Sequence, residues 1–152
     1  MNVKYFWFSL MTAAAISTPA FAQTPVQITA DTFVVEESKQ EAVFTGNVVV
    51  KHPTANVWAD KVVATYGEGG TSDIKTFEAT GTVKIETDEQ TATGEKAIFT
   101  PSDQLLRLTG NVEVINSGGT VQAQELVVNL ETNVSTFTAG QGGRVTGVFT
   151  SQ

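Results

Sequence analysis

"FTGNVVV" at residues 44–50, "ATGTVKI" at 79–85 and "LTGNVEV" at 108–114 are three writings of one line, and they decide the fold. Apolar residues fall at even offsets from the central glycine: Ala42, Phe44, Val48 and Val50 in the first, Phe77, Ala79, Val83 and Ile85 in the second, Leu106, Leu108, Val112 and Val114 in the third. A period of two puts each set on one face of a strand, with the other face left to water. The glycines at the centre are Gly46, Gly81 and Gly110, with spacings of 35 and 29. A second series, "ITAD" (28–31), "VWAD" (57–60), "ATGE" (92–95) and "VQAQ" (121–124), ends on Asp31, Asp60, Glu95 and Gln124 with spacings of 29, 35 and 29. Two landmark series with the same arithmetic establish an internal repeat of constant period, lengthened once where "GEGGTSD" (67–73) reads as an enlarged turn.

Around the second series the parity slips. Ile28 and Ala30 are followed by Phe33 and Val35, Val57 and Ala59 by Val62 and Ala64, Ala92 and Gly94 by Ala97 and Phe99, Val121 and Ala123 by Leu126 and Val128. An odd-to-even change at one place in every copy is the mark of a β-bulge or corner, because one extra residue resets the face that later side chains occupy. The glycines remove a side chain from the inward face and suit a kink or a close backbone approach. Polar stretches "EESKQ" (36–40), "ETDEQ" (86–90), "PSDQ" (101–104) and "NSGG" (116–119) read as turns, which makes two strands per repeat. No helical periodicity interrupts them beyond Ala22. The pattern predicts an all-β antiparallel stack of short bent strands, folded so that one apolar face lines the inside. A parallel β-helix, whose coils also corner, is the alternative, although hairpin-like turns speak for antiparallel pairing.

Residues 1–22 carry one cation at Lys4, an apolar run from Tyr5 to Ile16 and the small-x-small triplet Ala20-Phe21-Ala22. That is the layout of a cleaved secretory signal, and it predicts a mature chain from Gln23 forming a single domain over residues 23–152. An uncleaved anchor is the other reading, but the run is short of the ~20 residues a bilayer span needs. Cysteine is absent, which excludes disulfides, thiol chemistry and cysteine-based metal sites. Acidic residues number 16 against 9 basic ones, and the loss of Lys4 with the signal widens the gap to a formal −8. A surface of that sign repels nucleic acid and anionic membranes.

Nothing in the chain assembles a catalytic or metal site. His52 is the one histidine and precedes Pro53 in a turn, so it has no second nitrogen or sulfur ligand to join. Glu36-Glu37 and Asp88-Glu89 lie in polar turns and read as solvated charge. Asp31 and Asp60 stand at the corner, where a carboxylate accepts local backbone N–H bonds, a structural role. The pairs Gly69-Gly70, Gly118-Gly119 and Gly142-Gly143 lack a following Lys-Ser/Thr and open no helix, so they make no phosphate cradle. Asn133-Val134-Ser135 matches a glycosylation sequon, a weak pattern without a known host.

"FTGNVVV", "ADKVVATY" (59–66), "LTGNVEV" and the ending "GGRVTGVFTSQ" (142–152) together resemble the LptA/OstA family of periplasmic bridge proteins in lipopolysaccharide transport, over about Ile28 to Phe149. The resemblance implies a bent two-sheet antiparallel β-jellyroll open at both ends, no enzymatic activity and no cofactor. It also implies an inner face that takes the acyl chains of lipopolysaccharide. It implies a periplasmic chain whose partners are lipopolysaccharide itself, an LptC-like inner-membrane protein, an LptD-like outer-membrane protein and further copies of the chain. Other classes stay open: a membrane-tethered LptC-like component of the same pathway, or a structural or carbohydrate-binding β-repeat protein.

With that inner face, the parity nominates a lining of Ile28, Phe33, Val35, Phe44, Val48, Val50, Val57, Val62, Phe77, Val83, Ile85, Phe99, Leu106, Leu108, Val112, Val114, Leu126 and Val128. A dry path has a physical purpose, since each CH2 kept from water is worth ~0.8 kcal/mol and a chain of ~12 carbons about 10 kcal/mol. A stack of strands also has two terminal edges with unpaired backbone groups. Here the first, with Val26 and Ile28, is guarded only by Pro25, and the last, with Arg144, Val145, Val148 and Phe149, by a single charge. Two different edges predict head-to-tail assembly, which propagates as an open filament and aligns successive apolar paths.

Overall fold

Ten strands make up most of the described residues: β1 (Gln27–Thr29), β2 (Thr32–Glu36), β3 (Glu41–His52), β4 (Ala55–Tyr66), β5 (Ile74–Glu86), β6 (Gln90–Thr100), β7 (Leu105–Asn116), β8 (Gly119–Asn129), β9 (Val134–Thr138) and β10 (Thr146–Phe149). The structure is a computed structural model that describes residues 26–151, so the expected signal segment and Pro25 lie outside the described residues. Each repeat contributes two long strands joined by a tight turn, as in β3–β4 and β7–β8. The insertion in the long repeat forms the turn between β4 and β5, which holds a short 3-10 turn at Gly70–Ser72. Among the described residues no helix is long and apolar enough to cross a membrane.

Pairing is antiparallel throughout, and the strands follow one another as a meander from β3 to β8. This excludes the parallel β-helix, in which neighbouring coils run the same way. The six long strands all bend at the same level. Between β3 and β4 the register passes from Thr45↔Lys61 to Val48↔Ala59, so Gly46 and Asn47 together face Asp60. The same two-against-one count recurs where Gly81-Thr82 face Glu95 and where Gly110-Asn111 face Gln124. The parity slip seen in the sequence is therefore a β-bulge, and its extra residue sits on the glycine strand.

The corner needs residues that accept a left-handed backbone. Gly46, Gly81 and Gly110 have φ of 84°, 78° and 83°, and the residues after them, Asn47, Thr82 and Asn111, have φ of 45°, 44° and 45°. Asparagine tolerates this region better than most residues because its short polar side chain bonds locally. Asn47 Nδ2 donates to Asp31 Oδ2 at 3.1 Å, and Asn111 Nδ2 donates to Glu95 Oε1 at 3.0 Å. The carboxylate of Asp31 thus accepts from a side-chain amide, where the sequence points to backbone N–H groups for Asp31 and Asp60, and Glu95 accepts in the same way.

Glycine is also required for space. A Cβ at Gly46 would stand 2.9 Å from Asp31 Cβ, one at Gly81 2.8 Å from Asp60 Cβ, and one at Gly110 2.7 Å from Glu95 Cβ. Each acidic side chain lies across the bare backbone of the glycine that follows it in the series. A fourth contact continues the pattern, with Gln124 Cγ 3.4 Å from a Cβ built on Gly140. The two landmark series are the two halves of one repeated corner latch.

Every long strand is divided by this corner, and the sheet folds over along it. One half-sheet is bordered by β2 and β9, the other by β1 and β10. The outer strands β1/β2 and β9/β10 do not pair with each other, so the sheet stays unclosed. Val62, Leu108 and Leu126 from the first half and Val48, Val83 and Val112 from the second belong to one buried cluster, which places the apolar faces of the two halves against each other. Ala42, Ala64 and Tyr66 form a smaller cluster near the long turn.

Candidate functional site

The interior between the half-sheets is wholly apolar. Val83 is 0% exposed, and Val48, Leu108 and Val112 are 1% exposed. No buried polar or charged residue occurs among the described residues. Charges instead occupy the outer face and the turns, where Arg107 bridges to Glu125 at 3.1 Å and Lys84 lies 4.8 Å from the Trp58 ring while pairing with Glu86 at 2.9 Å. In the turns, hydrogen bonding to Glu36 raises the pKa of Lys39, and hydrogen bonding to Lys75 lowers that of Asp73. An interior lined by apolar side chains offers a ligand apolar contact in exchange for water.

The nominated residues divide by position along the stack. Val48, Val62, Val83, Ile85, Leu108, Val112, Val114 and Leu126 are buried in the cluster, and Ile28, Phe44, Val50, Val57, Phe77, Leu106 and Val128 pack against it half-buried. Phe99 is also half-buried and stands opposite Phe77 in the ladder. Phe33 and Val35, at 57% and 45% exposed, do not join the core. They lie on the edge strand β2, while β1, with three residues, borders the other half-sheet, and among the described residues no strand lies over them. Phe33 stacks on Phe44 at 4.6 Å instead.

Phe137 was not among the nominated residues, yet it packs on the core opposite Leu126. Its strand, "VSTFT", has too few apolar residues to show alternation. Near it a cleft of about 150 Å³ enters between the half-sheets, lined among others by Val114, Val121, Leu126, Phe137 and Phe149.

Both ends of the stack are apolar. Val26, Phe33, Val34 and Val35 are exposed at the β1/β2 end, and Leu130, Val134, Val145, Val148 and Phe149 at the other. Ile28 is half-buried and Arg144 exposed. Exposed apolar side chains beside unpaired strand edges are what soluble chains normally avoid.

The family model of the LptA/(LptD N-terminal domain) lipopolysaccharide transport proteins matches residues 27–134, from the first strand through the start of β9. The chain belongs to this family. An uncharacterised protein of Rhizobium meliloti (strain 1021) is 32% identical over 128 residues, which are 80% of this chain and 68% of that protein. The fold also matches the crystal structure of LptH, the LptA-homologous periplasmic component of the conserved lipopolysaccharide transport device from Pseudomonas aeruginosa. That match has a TM-score of 0.72 at 17% identity and covers 84% of this chain and 96% of LptH. The unclosed, bent antiparallel sheet is accordingly the LptA-like β-jellyroll, and membership of the family gives the chain a role in lipopolysaccharide transport.

Proposed function

We propose that this LptA-like chain is a periplasmic carrier that holds the acyl chains of lipopolysaccharide between its two half-sheets and leaves the phosphorylated sugars in solvent. The observation that carries this reading is the uncharged apolar interior of a sheet that never closes. Burial of one acyl chain there is worth about 10 kcal/mol at ~0.8 kcal/mol per CH2, and the chain takes the place of the apolar contact that the two faces give up on parting. The central residues are fully covered without ligand, so loading separates the half-sheets rather than filling a ready-made tunnel.

The same reading makes the chain a bridge between the membranes, with copies joined end to end and flanked by an LptC-like inner-membrane partner and an LptD-like outer-membrane partner. The apolar ends with their free strand edges support it. The formal −8 of the chain from Gln23 keeps the outer surface off anionic headgroups.

Co-elution of purified protein with lipopolysaccharide on gel filtration tests the carrier reading. The wild-type chain is expected to carry lipid, and Leu108→Asp, which puts an unpaired carboxylate at a 1% exposed position, is expected to lose it or to unfold. A wild-type protein that elutes free of lipid would overturn the proposal. So would a folded Leu108→Asp protein that carries as much lipid as wild type.

A further inference from the structure

The two ends of the interior are built differently. At the first end β1 and β2 follow one another through Ala30-Asp31, and the corner latch fixes that junction: Asp31 N donates to Gly46 O at 2.9 Å. At the second end β9 and β10 are separated by "AGQGGRV" (139–145), which has three glycines. Gly142 adopts φ 72°, and Gly143 N donates to Gly140 O at 3.0 Å in a turn. All four residues of β10 are exposed, and the strand is held along one edge only, by β8.

Nevertheless β10 lies where the interior opens. Phe149 forms one wall of the cleft whose other walls include Val114 and Val121 from one half-sheet and Leu126 and Phe137 from the other. Its ring folds back over Gly147, with Cε2 2.7 Å from the place a Cβ would take there. The backbone of β10 in turn seats directly on Gly119, and a Cβ at Gly119 would stand 3.0 Å from Phe149 Cα. Thr150 N donates to Gly118 O at 3.0 Å and closes the seat. A short strand on a glycine-rich tether, seated on a glycine and holding a 73% exposed aromatic ring beside a mouth that Gln90, Asn116 and Ser135 line together with the apolar residues, has the construction of a cover.

We propose that β10 is a hinged cover over the β9/β10 mouth of the apolar interior, with Phe149 as its sealing side chain, and that acyl chains pass this mouth only when β10 lifts from β8. The proposal rests on the carrier reading above and adds its regulation. It makes the two ends unequal: one is a fixed aromatic shelf, Phe33 on Phe44, and the other is gated. It also links passage to assembly, because a second copy whose β1 takes the free edge of β10 holds that strand in a new place and unseals the path.

The chain has no cysteine, so a lock can be introduced cleanly. Thr120 and Val148 are cross-strand partners, at a Cα separation of about 5.5 Å that a disulfide spans. Lipopolysaccharide carrying an environment-sensitive fluorophore is mixed with Thr120→Cys/Val148→Cys protein, oxidised or reduced, and with Phe149→Ala protein. Oxidation is expected to slow uptake by about twofold or more, because it shuts the β9/β10 mouth and leaves entry to the β1/β2 end alone, and reduction is expected to restore it. Phe149→Ala is expected to take up lipid faster than wild type. Equal uptake rates in the oxidised and reduced protein would overturn the cover while leaving the carrier reading intact. A Phe149→Ala rate at or below the wild-type rate would do the same. No uptake by any of the proteins, wild type included, would sink the carrier reading and the cover with it.

Discussion

Replacing Gly81 by alanine tests whether the corner latch holds the fold. The substitution meets two costs. A left-handed backbone penalises a residue with a Cβ by about 1–2 kcal/mol. The new methyl would also stand 2.8 Å from both Cβ and Cγ of Asp60, an overlap of the kind that costs about 1–3 kcal/mol. The second term dominates, because Thr82 beside it already lives at φ 44° and because a Cβ–Cβ clash cannot be relieved by rotating a side chain. A total of about 2–5 kcal/mol is a large part of the roughly 5–15 kcal/mol that stabilises a typical domain. Urea unfolding followed by circular dichroism should show the midpoint falling by on the order of 1–2 M. Removing the opposing side chain as well, in Gly81→Ala/Asp60→Gly, should recover about 1–3 kcal/mol relative to the sum of the single changes. A Gly81→Ala protein that loses less than about 1 kcal/mol, or a cycle that is simply additive, would refute the latch as a determinant of the bend.

Leu108→Ala should destabilise the protein by about 2–5 kcal/mol in the same assay, since Leu108 is 1% exposed and its neighbours come from both half-sheets. Asn111→Ala should cost about 1–3 kcal/mol through the lost bond to Glu95 and the strain at φ 45°, whereas Asn111→Gly should cost less, and equal losses would remove the backbone from the explanation. The apparent mass in light scattering should rise with protein concentration, and removal of Val145 to Gln152 should leave a folded monomer that still takes lipid. A truncated chain that assembles like the intact one would place the joint elsewhere.

The repeat, the strand parity and the bend were all legible in the sequence, because the latch draws on few residue types: a glycine where a Cβ would clash, and an acidic or amide side chain to lie over it. What the sequence could not show was which partner each landmark meets. Asp60 is the landmark that follows Gly46 and faces it in the ladder, yet its side chain lies over Gly81, a choice made by strand order and lean rather than by spacing. Gly140, the partner of Gln124, escaped notice because it lies in a loop outside any alternating strand. The interior candidates followed from parity alone, and parity is blind to where a neighbouring strand ends. Phe33 and Val35 carry the right parity and remain exposed, because among the described residues no strand lies over them. Phe137 is half-buried in a strand with almost no apolar signal, since the wide faces beside it do the covering.

Site-specific photo-crosslinking during active transport tests the central claim most directly. A photoreactive residue in place of Phe44, Val83 or Phe99, all on the inner face, is expected to capture lipopolysaccharide. The same residue in place of Val49 or Lys84, both on the opposite face of their strands, is expected to capture none. Equal capture from both sets, or capture confined to Val49 and Lys84, would contradict a lipid path between the half-sheets.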